Sequence, residues 1–354
     1  VNIYFVEAKA VQTLAITSMP LHIPVINQPR LSKAVSLLVL TVSLTACGGG
    51  NNTATTDVSP NTATNAAASS PGKLDFGGNV RLTGAGATFP APLYQTWFQS
   101  LNKKYPNLQI SYQSVGSGAG VEQFIKGIVD FGASDVAMKD EEIKKVPQDK
   151  GVLMLPMTAG SIVLAYNLPG VDQLKLPREV YTDIFLGKIK SWNDPKIAAA
   201  NPGVNLPNQP IAVVHRSDGS GTTAVFTKHL STISPEWKSK VGDGKTVNWP
   251  VGVGAKGNEG VTAQITQNQG AIGYVEYGYA KQNNLKVAAL QNKAGKFVVP
   301  TDESASKTLE AVTLPANLRA FITDPEVADS YPIVTYTWIL TYKKYPDPAK
   351  AKAK

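Results

Sequence analysis

Cysteine is nearly absent: Cys47 is the single one among 354 residues. An internal disulfide is excluded, so any fold must rest on a packed core. Histidine is almost as scarce. His22, His215 and His229 are the full set, and no pair stands at ligand spacing, so neither a metal site nor a histidine-based catalyst is expected. Charge is thin as well. Lys, Arg, Asp and Glu make up 17% of the chain, and the net charge of +8 is not gathered into stripes. The one dense basic run, Lys350-Ala-Lys-Ala-Lys354, carries no aromatic residue and reads as a solvated tail. Nucleic-acid binding is therefore not expected. Two nucleotide motifs are also missing. Gly244-Lys245-Thr246 has Ser239 where a P-loop needs its first glycine, and Gly84-Ala-Gly86 is followed by Phe89 where the dinucleotide fingerprint needs its third.

What is present begins with a leader. Arg30 and Lys33 precede a mostly apolar run over residues 34–46, too short for the roughly 20 residues that span a bilayer. Basic residues, a short apolar run and small residues before a cut site make a secretory signal, here residues 1–46. Leu44-Thr-Ala-Cys47 resembles a bacterial lipobox, in which the cysteine is lipidated and becomes the mature N-terminus. A start at Met19 would give a conventional leader. Residues 47–73 are mostly Gly, Asn, Thr, Ala and Ser, too polar to build a core and suited to a tether. Such a segment reaches roughly 25–30 Å on average.

From Leu74 onward one theme recurs: strand, Gly/Ser/Thr turn, helix. It appears at residues 79–90, followed by Leu93, Trp97 and Leu101 at helical spacing. It returns at 110–118, followed by Val121, Phe124, Ile125 and Ile128 on one expected helical face. It returns again at 213–226, in VVHRSDGSGTTAVF, and at Gly257-Asn-Glu-Gly260 before another helix. Strands alternating with helices indicate an α/β fold with largely parallel sheets, and 43% hydrophobic content suffices for about two domains. Residues 152–166 and 273–280 are candidates for crossing between lobes. They bracket a second lobe at 165–280 and leave a first lobe made of 74–164 and 281–354.

The loops have a chemical reading. A helix N-terminus offers unpaired N–H groups and the positive end of the helix dipole. Glycine allows close approach, and Ser or Thr adds hydroxyl donors, which together make an anion site. One Gly-rich turn carries little weight, but three of them, one bearing Arg216, point to a held anion.

GAGATFPAPLY (84–94), YQSVGSGAGVEQF (112–124), VDFGASD (129–135), VVHRSDGSGTT (213–223), KGNEGV and AIGYVEYGYA closely resemble, in order, the blocks of the Pst-type phosphate-binding family, the extracytoplasmic receptors of phosphate ABC importers. The resemblance runs from Leu74 to about Tyr342. It implies a two-lobed periplasmic-binding-protein fold of type II, with a hinge and a ligand cleft. It also implies inorganic phosphate as ligand, importer permease subunits as partners, a bilayer anchor through Cys47, a periplasmic or cell-surface location, and no cofactor. Carried over residue by residue, phosphate contacts fall on Thr88, Phe89, Ser117, Asp135, Arg216, Ser220, Gly221 and Thr222. Asp218 would hold the Arg216 guanidinium from behind. Two departures stand out. Gly116-Ser-Gly-Ala-Gly120 lacks a further serine that many relatives carry, and family members continue for some tens of residues past the 334–342 strand.

Taken singly, these residues have plainer readings. Asp135 could be a solvated strand end, Arg216 a structural partner of Asp218, and His215 a packed neighbour. The 140–145 acidic–basic run reads as a solvated helical face, and Tyr274, Tyr277 and Tyr279 as packing. Two other functions use the same pocket. A phosphohydrolase would need an activated nucleophile or a metal, and the sequence offers neither. A receptor for another oxyanion, such as sulfate, is opposed chiefly by Asp135.

Overall fold

Apolar segments that end in small residues become the strands of one mixed sheet. The structure is a computed structural model and describes Phe76 and residues 78–354; the leader, lipobox Cys47 and the 47–73 tether lie outside the described residues. The strands are β1 (Val80–Gly86), β2 (Leu108–Ser114), β3 (Phe131–Ser134), β4 (Val152–Tyr166), β5 (Lys175–Leu176) and β6 (Ala212–Arg216). They continue with β7 (Val253–Ala255), β8 (Ala271–Glu276), β9 (Lys286–Val287), β10 (Ala289–Gln291), β11 (Phe297–Val298) and β12 (Val334–Tyr342). The main sheet runs β2-β1-β3-β12-β4-β8-β6-β7, with β9 also paired to β4. A small sheet, β11-β10-β5, stands apart.

The flanks of the main sheet are parallel, as the alternating pattern requires: β1 with β2 and β3, β6 with β7 and β8. The centre is not. β12 runs antiparallel to both β3 and β4, and β4 antiparallel to β8. The expectation of largely parallel pairing therefore holds for the βα units and fails where the chain returns from its distant end. An antiparallel neighbour needs no crossover helix, so the alternation of strands and helices gives no warning of it.

β4 is the long element. Residues 152–161 pair with β12, and residues 162–166 pair with β8. Its burial changes along its length. Leu153, Leu155 and Met157 alternate outward and are 37–39% exposed, whereas every residue from Ile162 to Tyr166 is buried. One face is covered in the first part and both faces in the second. The larger core surrounds β6, β8 and the second part of β4, with Phe226 stacked on Tyr274 at 4.5 Å. Smaller clusters around Phe124, Trp338 and Leu340, and around Leu82 and Phe131, cover β1, β3 and β12.

Four expectations need correction. The helix Ala91–Lys104 buries Ala91 and Tyr94, while Leu93 and Leu101 are each 37% exposed. The inward face follows Tyr94 and Phe98, whose rings pack with Tyr112, and of the Leu93–Trp97–Leu101 row only Trp97 packs against the core, beside Tyr94. Ile128 lies past the end of Ser117–Ile125 and is exposed. The basic tail is not simply solvated. Pro348–Ala353 is a short helix capped by Asp347, Ala349 and Ala353 pack beside Phe76 and Leu82, and Lys350 pairs with Asp130 at 2.6 Å. Nor is the acidic run at 140–143 wholly free: Glu142 pairs with Lys245 at 2.9 Å and Asp140 with Arg319 at 2.7 Å.

Candidate functional site

The carboxyl ends of β1, β2, β3, β6 and β7 all point into one region, and each leads into a loop that carries polar side chains. Open α/β sheets hold ligands in this place. Thr88 follows β1, Ser117 follows β2, Asp135 follows β3, Arg216 ends β6, and Asn258 follows β7. Thr88, Ser117, Asp135, Arg216, Ser220, Thr222 and Asn258 are each at most 4% exposed. Buried polar groups at this density need partners, and the partners define the chemistry.

Arg216 is aimed by Asp218. Nε donates to Oδ1 at 2.7 Å and Nη2 to Oδ2 at 2.5 Å, a forked pairing that fixes the guanidinium plane. Burial pushes the Asp218 carboxyl up, but the Arg216 hydrogen bonds and charge, with the Gly257 N–H at 3.0 Å, outweigh it and leave the group below its ordinary value. The remaining Nη1 faces Thr222 Oγ1 at 3.5 Å. The sequence reading placed Asp218 behind Arg216, and it stands there.

The hydroxyls share a pattern. Thr88 Oγ1 accepts from both the backbone N–H and the side-chain amide of Asn258, at 3.1 and 2.7 Å. Thr222 Oγ1 accepts from Asn258 Nδ2 at 3.3 Å. Ser220 caps the helix Gly221–Ile233 by accepting from Thr223 N–H at 3.0 Å. Ser117 Oγ accepts from Asp135 N–H at 3.2 Å and lies 3.4 Å from Asp135 Oδ2. Protein donors thus occupy the oxygen of each hydroxyl; Thr88, Ser220 and Thr222 keep a hydrogen to give away, while that of Ser117 is directed along the 3.4 Å contact to Asp135 Oδ2. The N–H groups of Gly221 and Thr222 sit in a first helical turn, which has no intrahelical acceptor for them.

Against these donors stands one acceptor of note. Burial pushes the Asp135 carboxyl up to about 7, opposed by hydrogen bonding from Thr337, the Arg216 charge, Ser117 and the Lys245 charge. Its Oδ1 receives Thr337 Oγ1 at 2.8 Å. Its Oδ2 faces Gly221, where a Cβ would come within 2.7 Å. Glycine is required at 221 by this close approach.

The two flanks of the sheet touch directly across the region. Gly118 N–H donates to Gly219 O at 2.8 Å, Ser114 Oγ to Glu259 Oε1 at 2.8 Å, and Tyr279 OH to Thr88 O at 2.6 Å. Phe89 is placed differently from the rest. Its ring is buried in the larger core against Gly160, so only its backbone remains near Thr88. His215 stacks on Trp249 at 4.9 Å, and His229 meets Tyr181 OH at 2.8 Å with burial pushing it down to about 4.

Sequence reasoning missed two residues that tie the region together. Asn258 bridges Thr88 and Thr222 while its Oδ1 accepts from Glu276 N–H at 2.9 Å. The Lys256-Gly-Asn-Glu block was visible, but nothing in it marks the asparagine as a cross-link. Thr337 lies in β12, where Thr335-Tyr-Thr337 reads only as strand alternation.

A cluster of hydroxyl and N–H donors around a buried arginine, at the carboxyl ends of a sheet with touching flanks, is the design of a solute-binding receptor. Consistent with that class, residues 53–354 match the family model described as a PBP superfamily domain. The chain is 48% identical over 276 residues to the phosphate-binding protein PstS of Pasteurella multocida, covering 77% of this chain and 79% of the relative. It is 46% identical over 285 residues to PstS of Haemophilus influenzae, covering 79% and 84%. A crystal structure of the phosphate-binding protein from Stenotrophomonas maltophilia superposes with a TM-score of 0.59 at 21% identity, over 77% of this chain and 81% of that one, a likeness of fold. The chain belongs to the PstS family of phosphate-binding proteins.

Proposed function

We propose that this protein binds inorganic phosphate between the two flanks of its sheet and presents it to the membrane subunits of an ABC importer. The observation that carries the reading is the census of the site. Thr88, Ser220 and Thr222 have their oxygens occupied by protein donors, Ser117 stands between the Asp135 N–H and carboxylate, Arg216 is aimed by Asp218, and Asp135 is an acceptor among donors. A ligand matching that set is an anion that still carries a proton. Hydrogen phosphate and dihydrogen phosphate satisfy it; sulfate offers Asp135 only lone pairs. The names of the relatives support the same ligand.

The lobes belong to this reading: residues 74–164 with 281–354 on one side and 165–280 on the other. The change of partner within β4 supports that division. Binding rather than turnover is favoured because the relatives are phosphate-binding proteins and neither His215 nor His229 pairs with a site hydroxyl. Calorimetry at pH 8 tests the ligand. Phosphate should bind with little disturbance from a large excess of sulfate, while arsenate, which keeps a proton, should compete. Sulfate binding as tightly as phosphate would overturn the reading in favour of a general oxyanion receptor.

Membrane attachment through Cys47 completes the proposal, supported by the lipobox-like Leu44-Thr-Ala-Cys47 and the polar tether behind it. Among the described residues no helix is long and apolar enough to cross a membrane. Cys47→Ser should abolish labelling by a radioactive fatty acid and move the protein from the membrane fraction to the soluble fraction. Undiminished membrane retention of Cys47→Ser would argue against lipid at this position. A single acyl chain gives only marginal binding, so firm retention requires more than one.

A further inference from the structure

We propose that Thr337 sets the anion selectivity of this site by holding Asp135 in its ionised form. The inference rests on the reading of Asp135 as the acceptor for a ligand proton. It adds a residue that touches no ligand and acts through the carboxylate, a positioning residue in the middle of the sheet.

The geometry leaves Thr337 one good use for its hydrogen. Its side chain is fully buried, and Oγ1 lies 2.8 Å from Asp135 Oδ1 and 3.5 Å from Ser134 O. Donation to Oδ1 is the short, charge-assisted bond. If Oδ1 carried a proton, Thr337 would have to accept it and turn its own hydrogen to the poor contact at 3.5 Å. The pair is therefore best satisfied with no proton on Oδ1. Two residues earlier on the same face of β12, Thr335 Oγ1 binds Asp135 O at 3.1 Å. β12 thus grips the aspartate by backbone and by carboxylate.

With Oδ1 occupied, the ligand meets Oδ2. That oxygen has only the long Ser117 contact at 3.4 Å and lies against the α-carbon of Gly221. An ionised Oδ2 accepts a ligand hydrogen and repels a lone pair. A protonated Asp135 reverses the preference, because its O–H can donate to any oxyanion. Selectivity therefore depends on which form is held. Several groups share the field around Asp135: Tyr94 from the helix Ala91–Lys104, Tyr112 from β2, Arg216 from β6, Lys245 from the loop after Pro235–Lys240, and Glu276 from β8. Burial pushes both tyrosines above their ordinary range, so they stay neutral, and Glu276 is pushed up to about 7. Thr337 lies close enough to the Tyr94 hydroxyl to oppose the upward push of burial on it, but that hydroxyl makes no hydrogen bond of good geometry, so the short bond of Thr337 is the one to Asp135 Oδ1.

Sulfate is the useful probe, because it does not titrate between pH 6 and 9 and its affinity reads the protein alone. Wild-type affinity for sulfate, followed by calorimetry against pH, should fall as Asp135 ionises, and Asp135→Asn should remove most of that fall. In Thr337→Val the break should move up by about one pH unit or more, so that sulfate binds roughly tenfold tighter above pH 8. Thr337→Ser, which keeps the hydroxyl, should follow wild type. Thr337→Ala is the second hydroxyl-free variant, and either one that melts cooperatively decides the matter. A break within about 0.3 unit of wild type in such a variant would overturn the proposal, as would Thr337→Ser shifting as far as Thr337→Val. Failure of the wild-type protein to bind phosphate would instead remove the receptor reading on which the proposal stands, and that result is seen without any variant.

Discussion

Arg216→Ala is expected to weaken phosphate binding by about 2–5 kcal/mol, the loss typical of truncating one partner of a buried, hydrogen-bonded charge pair. The size follows from what remains. Arg216 is 4% exposed and ends β6, with its backbone N–H tied to Tyr274 OH at 3.0 Å, and the nearby cation Lys245 is already paired with Glu142 at 2.9 Å. Asp218, freed of its partner, would remain as a second carboxylate beside an arriving anion, its side chain only 12% exposed. Gly257 N–H would satisfy part of that charge and leave the rest to repel. Arg216→Lys should recover little, since an ammonium cannot reproduce the forked geometry. Isothermal calorimetry on the folded variant measures the effect directly. If Arg216→Ala lowered thermal stability but cost less than about 1 kcal/mol in phosphate affinity, Arg216 and Asp218 would be a structural pair and nothing more.

Gly120→Val should be the most damaging single change to the fold among those considered, at about 3 kcal/mol or more. A Cβ at this position would collide with Gly86 Cα, and it would stand 2.7 Å from Ala85 O and 3.0 Å from Ala133 O. All three obstacles are backbone, so no side chain can turn away to make room. The collision lies where the helix Ser117–Ile125 crosses β1 and β3, and the same contact sets Ser117 beside Asp135. Denaturant titration should show the lower midpoint, and any folded fraction should bind phosphate weakly because the helix is lifted from the strands. A variant with unchanged midpoint would mean that the helix can slide, and that the site does not depend on this crossing.

These residues also show what a sequence discloses and what it hides. Gly-rich turns before helices are local features, since the strand end, the turn and the first helical turn lie within a dozen residues of each other. The loops at Thr88, Ser117 and Arg216 to Thr222 were accordingly legible, as was the pairing of Arg216 with Asp218 two positions on. The inward face of Ala91–Lys104 was not. Leu93 and Leu101 have the better spacing with Trp97 on paper, but Tyr94 and Phe98 have Tyr112 to pack against, and that partner comes from another element. Asn258 and Thr337 were hidden for the same reason. Each is an ordinary residue in an ordinary element until the chain brings its partner near, from 170 residues away for Thr88 and 202 for Asp135. The antiparallel centre of the sheet is likewise a long-range fact, absent from any window of alternating apolar residues.

β12 is the last strand along the described chain, yet it sits between β3 and β4. Synthesis reaches it after every other described strand. Until it arrives, β3 and β4 have no common neighbour, and Asp135 lacks both threonine contacts. The centre of the sheet therefore cannot form before β12 has been made, because β12 alone joins β3 to β4 among the described strands. The topology itself postpones completion of the centre, and long-range strand pairing is slow in any case. The cost is a period in which two open strand edges face each other unpaired, the state in which sheet proteins are most prone to associate with the wrong partner.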